Sequence, residues 1–203
     1  MRTFVCILSV LLGFMSISVS QNNPEYYLRR CPYLSPKIEK MIGMSVDDTT
    51  FSINLSKITE SKSENQITIR TSKISTISIN VLKMVNNSDV VAVLFNVEYP
   101  TKNSFISFYD KDMHLLPKDR IMECMNYDTI IDNLSCADNI KVRIKQLISP
   151  LHVYFSFDNQ KLNAEIMITT TIEDERNDDL MCEINKIRRY TYEWNASKYI
   201  IRN

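Results

Sequence analysis

Apolar side chains recur at every second position through the middle of this 203-residue chain, and that period commits it to β-strands. Ile77, Ile79 and Val81 alternate with Ser78 and Asn80, so one face of that strand is greasy and the other polar. After the turn cluster Asn86-Asn87-Ser88-Asp89 the alternation resumes at Val91, Val93, Phe95, Val97 and Tyr99. Val90, Ala92 and Leu94 are apolar as well, which predicts a strand buried on both faces at the centre of a sheet. Pro100 to Asn103 turns into Phe105–Tyr109, and Asp110-Lys111-Asp112 leads on to Leu115-Leu116 and Pro117. Each connection is short enough for an antiparallel neighbour, so the pattern is a β-meander.

Helical signals flank this run. Asn23-Pro24 and Ser35-Pro36 each set a capping side chain before a proline suited to the first helical position, predicting two short helices over 22–43 with Gly43 as the stop. In the polar stretch from Ser45 to Asn65, the alternation of Phe51, Ile53 and Leu55 predicts a short strand. Asp119–Asn126 and Asp138–Ile148 read as helical, the second on a stripe of Ile140, Ile144, Leu147 and Ile148. Val153, Phe155 and Phe157 then alternate, 158–161 turns, and Leu162, Ala164, Ile166, Ile168, Thr170 and Ile172 line a long strand. Asp178 and Asp179 open a helix that Lys186, Arg188 and Arg189 close, the polarity a helix dipole favours. Tyr190, Tyr192 and Trp194 form a further strand, and Asn195-Ala196-Ser197 turns into Lys198–Ile201. The fold class is α+β: a mostly antiparallel β-sheet of meander hairpins with a few helices packed on one face.

Residues 1–20 carry a different pattern. Arg2 is a short positive start, Phe4–Met15 is apolar, and Ser16-Ile17-Ser18-Val19-Ser20 puts small residues before Gln21. This is the pattern of a cleavable signal peptide, too short to span a bilayer. The expected organisation is a signal peptide at 1–20 and one α+β domain at 21–203, periplasmic or secreted, with no transmembrane span once the leader is cut. Without Arg2 the remaining 183 residues carry 23 basic and 24 acidic side chains, a net charge of about −1. No one-sided field draws such a chain to nucleic acid.

The chain has two glycines, Gly13 and Gly43, and the first lies in the leader. Phosphate-cradling loops and the Gly-x-Ser-x-Gly nucleophile elbow need several, so those chemistries are excluded and no cofactor is implied. Cys6 also leaves with the leader, so Cys31, Cys124, Cys136 and Cys182 remain. In an oxidising compartment an even set suggests disulfides, with Cys124–Cys136 the easiest loop to close and Cys31–Cys182 left as a long staple. One disulfide, or four free thiols, are the alternatives. No pair has Cys-x-x-Cys spacing and neither histidine is close in sequence, so no metal site is expected.

Several segments together resemble a known family. The run from Ile79 to Val91, Phe105–Asp110 followed by Leu115-Leu116-Pro117, and Arg189-Tyr190-Thr191-Tyr192-Glu193-Trp194 followed by Lys198-Tyr199 resemble, in order and spacing, hairpins of exported Bacteroidales proteins grouped as domain of unknown function 3256. With the leader and the Leu34–Ile42 helix the resemblance covers most of the mature chain. It implies an envelope or secreted protein of a Gram-negative anaerobe and brings no catalytic residues with it. Some members carry two cysteines around the position of Pro100–Asn103, which this chain lacks, so no disulfide is carried over.

The remaining chemistry is sparse. His114 and His152 are the two histidines, each beside strand-like apolar residues, and a structural role suits both. Asp110-x-Asp112 opens like a calcium loop, but His114 and Ile121 stand at the fifth and twelfth positions, where ligands are required. Glu173-Asp174-Glu175 with Asp178-Asp179 reads as a solvated loop feeding a helix N-terminus. Sequons at Asn54, Asn86, Asn133 and Asn195 matter only in a eukaryotic secretory route. Tyr190, Tyr192 and Trp194 are candidate ligand-binding residues if their face is open, and core residues if the preceding helix covers it. The expected function is a non-enzymatic exported binding or accessory module for a protein, peptide or glycan. The alternatives are a glycan hydrolase using two carboxylates and a structural envelope protein.

Overall fold

Asn23 accepts the Glu25 backbone N–H at 3.0 Å and, with Pro24 behind it, starts helix α1 (Pro24–Leu28) where the sequence places it. The computed structural model describes residues 23–42, 51, 54–168 and 178–202. The leader, Gly43 and the acidic run Glu173-Asp174-Glu175 therefore lie outside the described residues. Helix α2 (Pro36–Ile42) follows, with the Ser35 hydroxyl accepting the Ile38 N–H.

Six strands then run in sequence order across one antiparallel sheet: β1 (Thr59–Lys62), β2 (Gln66–Ser72), β3 (Ser75–Lys83), β4 (Asp89–Val97), β5 (Asn103–Asp110) and β6 (Leu115–Leu116). β3 and β4 are paired in unbroken register from Ser75↔Val97 to Lys83↔Asp89. A second antiparallel sheet has the order β10-β9-β8-β7, built from β7 (His152–Asp158), β8 (Lys161–Met167), β9 (Arg189–Trp194) and β10 (Tyr199–Arg202). Between the sheets in sequence lie α3 (Lys118–Ile121), α4 (Tyr127–Asp132) and α5 (Asp138–Leu147), while α6 (Asp178–Ile187) separates β8 from β9. The expected α+β class of antiparallel hairpins is present, with the strands divided between two sheets.

β4 explains why the six-stranded sheet needs cover on both sides. Its odd positions Val91 and Val93 are fully buried with Ile67, Ile69, Ile77 and Ile79 beneath Tyr27, Leu28, Ile38 and Ile42 of the N-terminal helices. Its even positions Ala92 and Leu94 face a second core, shared by Leu82, Ile106 and Phe108 of the same sheet with Phe155, Leu162, Ala164 and Tyr192 of the other. Ile144, Ile148, Ile184 and Ile187 bring α5 and α6 into that second core. Burying one such aliphatic side chain is worth about 1.5–3 kcal/mol, so β4 stabilises two layers at once.

Polar groups tie the two sheets. Asn96 Nδ2 donates to the Phe155 carbonyl at 3.1 Å, and the Phe155 N–H donates to Ser104 Oγ at 2.8 Å. Ser104 Oγ in turn donates to Asn96 Oδ1, and the two residues face each other across β4 and β5. Asn80 Nδ2 donates to the Asn159 carbonyl at 2.6 Å, and Trp194 Nε1 to the Lys83 carbonyl at 2.7 Å.

Two local readings change. Phe51 and 54–56 are helical rather than extended, and Phe51 and Leu55, 1% and 2% exposed, both reach the first core, while Ile53 lies outside the described residues. Helix α3 stops at Ile121, short of the expected Asn126: Met122 is extended (φ −145°, ψ 137°) and bridges Tyr199 in parallel, and the Glu123 N–H donates to the Tyr199 carbonyl at 3.1 Å. Asn126 then caps a further helix, α4, by accepting the Thr129 N–H at 2.8 Å. The strand expected through Ile172 is described as far as Met167. In α5 and at its C-cap, Ile144 and Ile148 are fully buried while Val142 is 58% exposed, as the expected helical stripe requires.

Substituting Asn96→Ala strands buried backbone and hydroxyl groups, so a loss of about 1–3 kcal/mol in chemical denaturation is expected. Ser104→Ala should cost a similar amount, and the double variant less than the sum, because both act on one peptide unit. Additive losses in the denaturation midpoints would show that the three groups do not form one network.

Candidate functional site

The second sheet has two unlike faces. Its inner face carries Phe155, Leu162, Ala164, Ile166 and Tyr192 into the core. Its outer face, by the alternation of the same strands, carries Tyr154 and Ser156 from β7, Asn163 and Glu165 from β8, and Arg189 and Thr191 from β9. These six line an open cleft of about 360 Å³.

The cleft is a surface of hydrogen-bonding groups with one aromatic wall. Thr191 Oγ1 donates to Asn163 Oδ1 at 3.2 Å, which orients the amide. Glu165 receives Arg188 Nε at 3.1 Å. Lys102 Nζ lies 5.3 Å from the centroid of the Tyr154 ring. Burial pushes the Tyr154 hydroxyl pKa up, and the negative charge of Glu98 adds to the effect. A hydrogen bond from the Asn96 side chain opposes the rise.

Of the three aromatic candidates on β9, Tyr190 alone is among the residues lining this cleft. Tyr192 is fully buried, and Tyr190, 8% exposed, belongs to the inner core while also bordering the cleft. Trp194 packs edge-on against Tyr199 at 5.3 Å, with its indole N–H on Lys83. Burial raises the pKa of all three tyrosines Tyr190, Tyr192 and Tyr199. The stripe holds the sheets together. The cleft residues behind it are the polar positions of the same strands, and their signal in the sequence was the complementary half of the alternation.

Among the described residues, Cys31, Cys124, Cys136 and Cys182 are free thiols. Cys31 belongs to the first core, under the N-terminal helices, whereas Cys182 is exposed on α6, which packs into the second core. The six-stranded sheet stands between the two cores, so Cys31 and Cys182 cannot meet in this fold. Cys124 is exposed and Cys136 is partly buried against the second core.

Asp110, Asp112 and His114 converge, with one ligand atom of each within 4.8 Å of the others. The geometry is that of a turn. Asp110 Oδ1 accepts the backbone N–H groups of Asp112 and His114, both at 2.9 Å, and Oδ2 lies 3.1 Å from His114 Nδ1. Burial, the largest single influence on the Asp110 carboxyl, would raise its pKa, but the hydrogen bonds from His114 and Asp112 together outweigh it and the net shift is downward. His152 begins β7 and is half-buried.

A two-sheet α+β domain of this kind, with a polar open sheet face, defines a class of small domains rather than a known active site. The chain belongs to the family described as "Protein of unknown function (DUF3256)", whose model matches residues 45–199. Among solved structures it is similar to one described as "Structure of a domain of an uncharacterized protein from Porphyromonas gingivalis W83". That similarity has a TM-score of 0.53 and 18% identity over 68% of this chain and 72% of the other, and it concerns the fold alone. No curated protein matches.

Thiol labelling should separate the cysteines. Burial pushes the Cys31 thiol up to about 11, so at pH 8 only about a thousandth of it is thiolate. In the native state Cys124 and Cys182 should react with an aromatic disulfide reagent within the first phase and Cys31 only after denaturation. Rapid native labelling of Cys31 would contradict its placement.

Proposed function

We propose that this is an exported, non-enzymatic binding module whose ligand, a glycan or an extended peptide, lies on the outer face of the four-stranded sheet. The observation that carries the reading is the cleft lined by Tyr154, Ser156, Asn163, Glu165, Arg189 and Thr191. Hydroxyl, amide, carboxylate and guanidinium groups there both donate and accept, as sugar hydroxyls and peptide groups do. An aromatic wall beside such groups supplies apolar contact area with little loss of side-chain freedom.

Glycoside hydrolysis calls for two carboxylates across the scissile bond. Glu165 is the carboxylate among the described cleft residues, and Arg188 already engages it. The arrangement favours holding over cutting. Export rests on the leader pattern of residues 1–20.

Two measurements test this. The secreted or periplasmic fraction should yield a protein whose N-terminal residue is Gln21; recovery of the uncut chain from the cytosol would refute export. On a panel of polysaccharides and peptides, the protein should retain at least one ligand without turnover, and Tyr154→Ala or Asn163→Ala should weaken retention about tenfold or more. Turnover that disappears in Glu165→Gln would replace the binding module with the hydrolase.

A further inference from the structure

The odd positions of β4 do not all reach the same cover. Val91 and Val93 lie under the N-terminal helices, but Phe95, next along the same face, is only partly buried against that core. Phe105 of β5 stands directly across from it in register and is 54% exposed. Tyr33, on the connection between α1 and α2, is 38% exposed. The three rings form a row: Tyr33 and Phe95 are 6.2 Å apart with 12° between their planes, Phe95 and Phe105 6.5 Å apart with 29°. Parallel rings in full contact stand about 3.5–4 Å apart, so these leave part of their faces uncovered. The row is pinned, because the Tyr33 hydroxyl and Ser107 Oγ share a hydrogen bond at 2.6 Å.

A contiguous group of exposed aromatic side chains marks a contact surface. What flanks the row narrows the chemistry of the contact. Cross-strand partners share a face, so Ser75, Val97 and Asn103 form the neighbouring rank on one side, and Ile79, Val93 and Ser107 on the other. Neither rank carries an ionisable side chain, in a chain where 24% of residues are Asp, Glu, Lys or Arg. Single-stranded nucleic acid also stacks on aromatic rows, but it needs cations beside them for its phosphates. An acidic glycan or a charged peptide would lack its counter-charge in the same way. An uncharged sugar chain needs none: each ring sets a C–H face on an aromatic side chain while its hydroxyls turn to polar groups at the rim. Ser75, Asn103 and Ser107 are such groups, and the Ser104 N–H on Asn103 Oδ1 at 2.9 Å orients that amide.

We propose that an uncharged glycan chain binds along the row of Tyr33, Phe95 and Phe105, successive sugar rings stacking on successive side chains. This surface belongs to the six-stranded sheet, so the proposal does not depend on what the cleft of the four-stranded sheet holds.

Calorimetric titration of the full mature chain with the uncharged hexamers of α- and β-linked glucose, xylose and mannose tests it, with the galacturonate hexamer as the charged comparison. At least one neutral hexamer should saturate with a Kd below about 1 mM, and its monomer should bind at least about tenfold more weakly. Phe105→Ala and Tyr33→Ala should each weaken that binding about tenfold or more, while Phe105→Tyr should keep it. Leu115→Ala, exposed and off the row, should leave it unchanged. Phe105 is more than half exposed, so the melting temperature of Phe105→Ala should stay close to that of the parent, which separates a lost contact from a lost fold. No saturation by about 10 mM with any neutral hexamer, or equal affinity for the galacturonate hexamer, overturns the proposal. Self-association that disappears in Phe105→Ala overturns it too, since the face would then join two copies of this chain. Binding lost in Tyr154→Ala but kept in Phe105→Ala would move the glycan to the outer cleft, sinking this site and sparing that one.

Discussion

The peptide unit of Phe155 is where the two halves of this protein are joined. β7 is the last strand of its sheet, so its outward backbone groups have no strand to pair with. Asn96 and Ser104 supply the missing donor and acceptor, respectively, from the other sheet, while the Phe155 ring enters the shared core. Each of those backbone groups, buried without a partner, would cost about 1–3 kcal/mol against a total stability of about 5–15 kcal/mol for a domain. The pair thus sets which sheet faces which, and it fixes the distance at which Phe155 meets Ala92 and Leu94. The outer cleft lies on the outward face of the strand held in this way.

The layering follows from β4. A strand apolar at consecutive positions has no wet face, so something must cover each side. The N-terminal helices cover one side with Tyr27, Leu28, Ile38 and Ile42. The second sheet, with α5 and α6, covers the other. The second sheet itself has only one apolar face, and its remaining face is free to carry Asn163, Glu165 and Thr191.

Much of this was legible in the sequence. The hairpins from Ile77 to Tyr109, the capped prolines at 24 and 36, and the amphipathic stripe from Ile140 to Ile148 each follow from local period and capping. The division into two sheets was not, because alternation tells a strand which face is apolar and not which neighbour will bury it. Helix α3 ends early for the same kind of reason: Met122 and Glu123 pair with Tyr199, some eighty residues on, and no local pattern announces that contact. The cleft was half legible, since the positions between Phe155, Ala164 and Tyr192 had to point somewhere, but whether a helix covers them is a tertiary matter. The glycine shortage also left a trace. Asn87 and Asn159 take left-handed turns (φ 60° and 55°), as asparagine readily does, but so do Met113 and Ala196 (φ 65° and 64°), at a cost of about 1–2 kcal/mol each. The Met113 N–H on the Asp110 carbonyl and the Val85 N–H on the Ala196 carbonyl hold those two turns in place.

The pairing of Met122 and Glu123 with Tyr199 reaches beyond local geometry. It sheathes the β10 margin, as the Asn96–Ser104 plug sheathes the β7 margin; at the other two margins stand a stub of two residues, Leu115-Leu116, and the hydrophilic strand Thr59-Glu60-Ser61-Lys62. None of the four offers the long, flat, greasy template on which foreign chains zip up into fibrils. Among the described strands, edge-to-edge growth into a longer sheet therefore has little to start from.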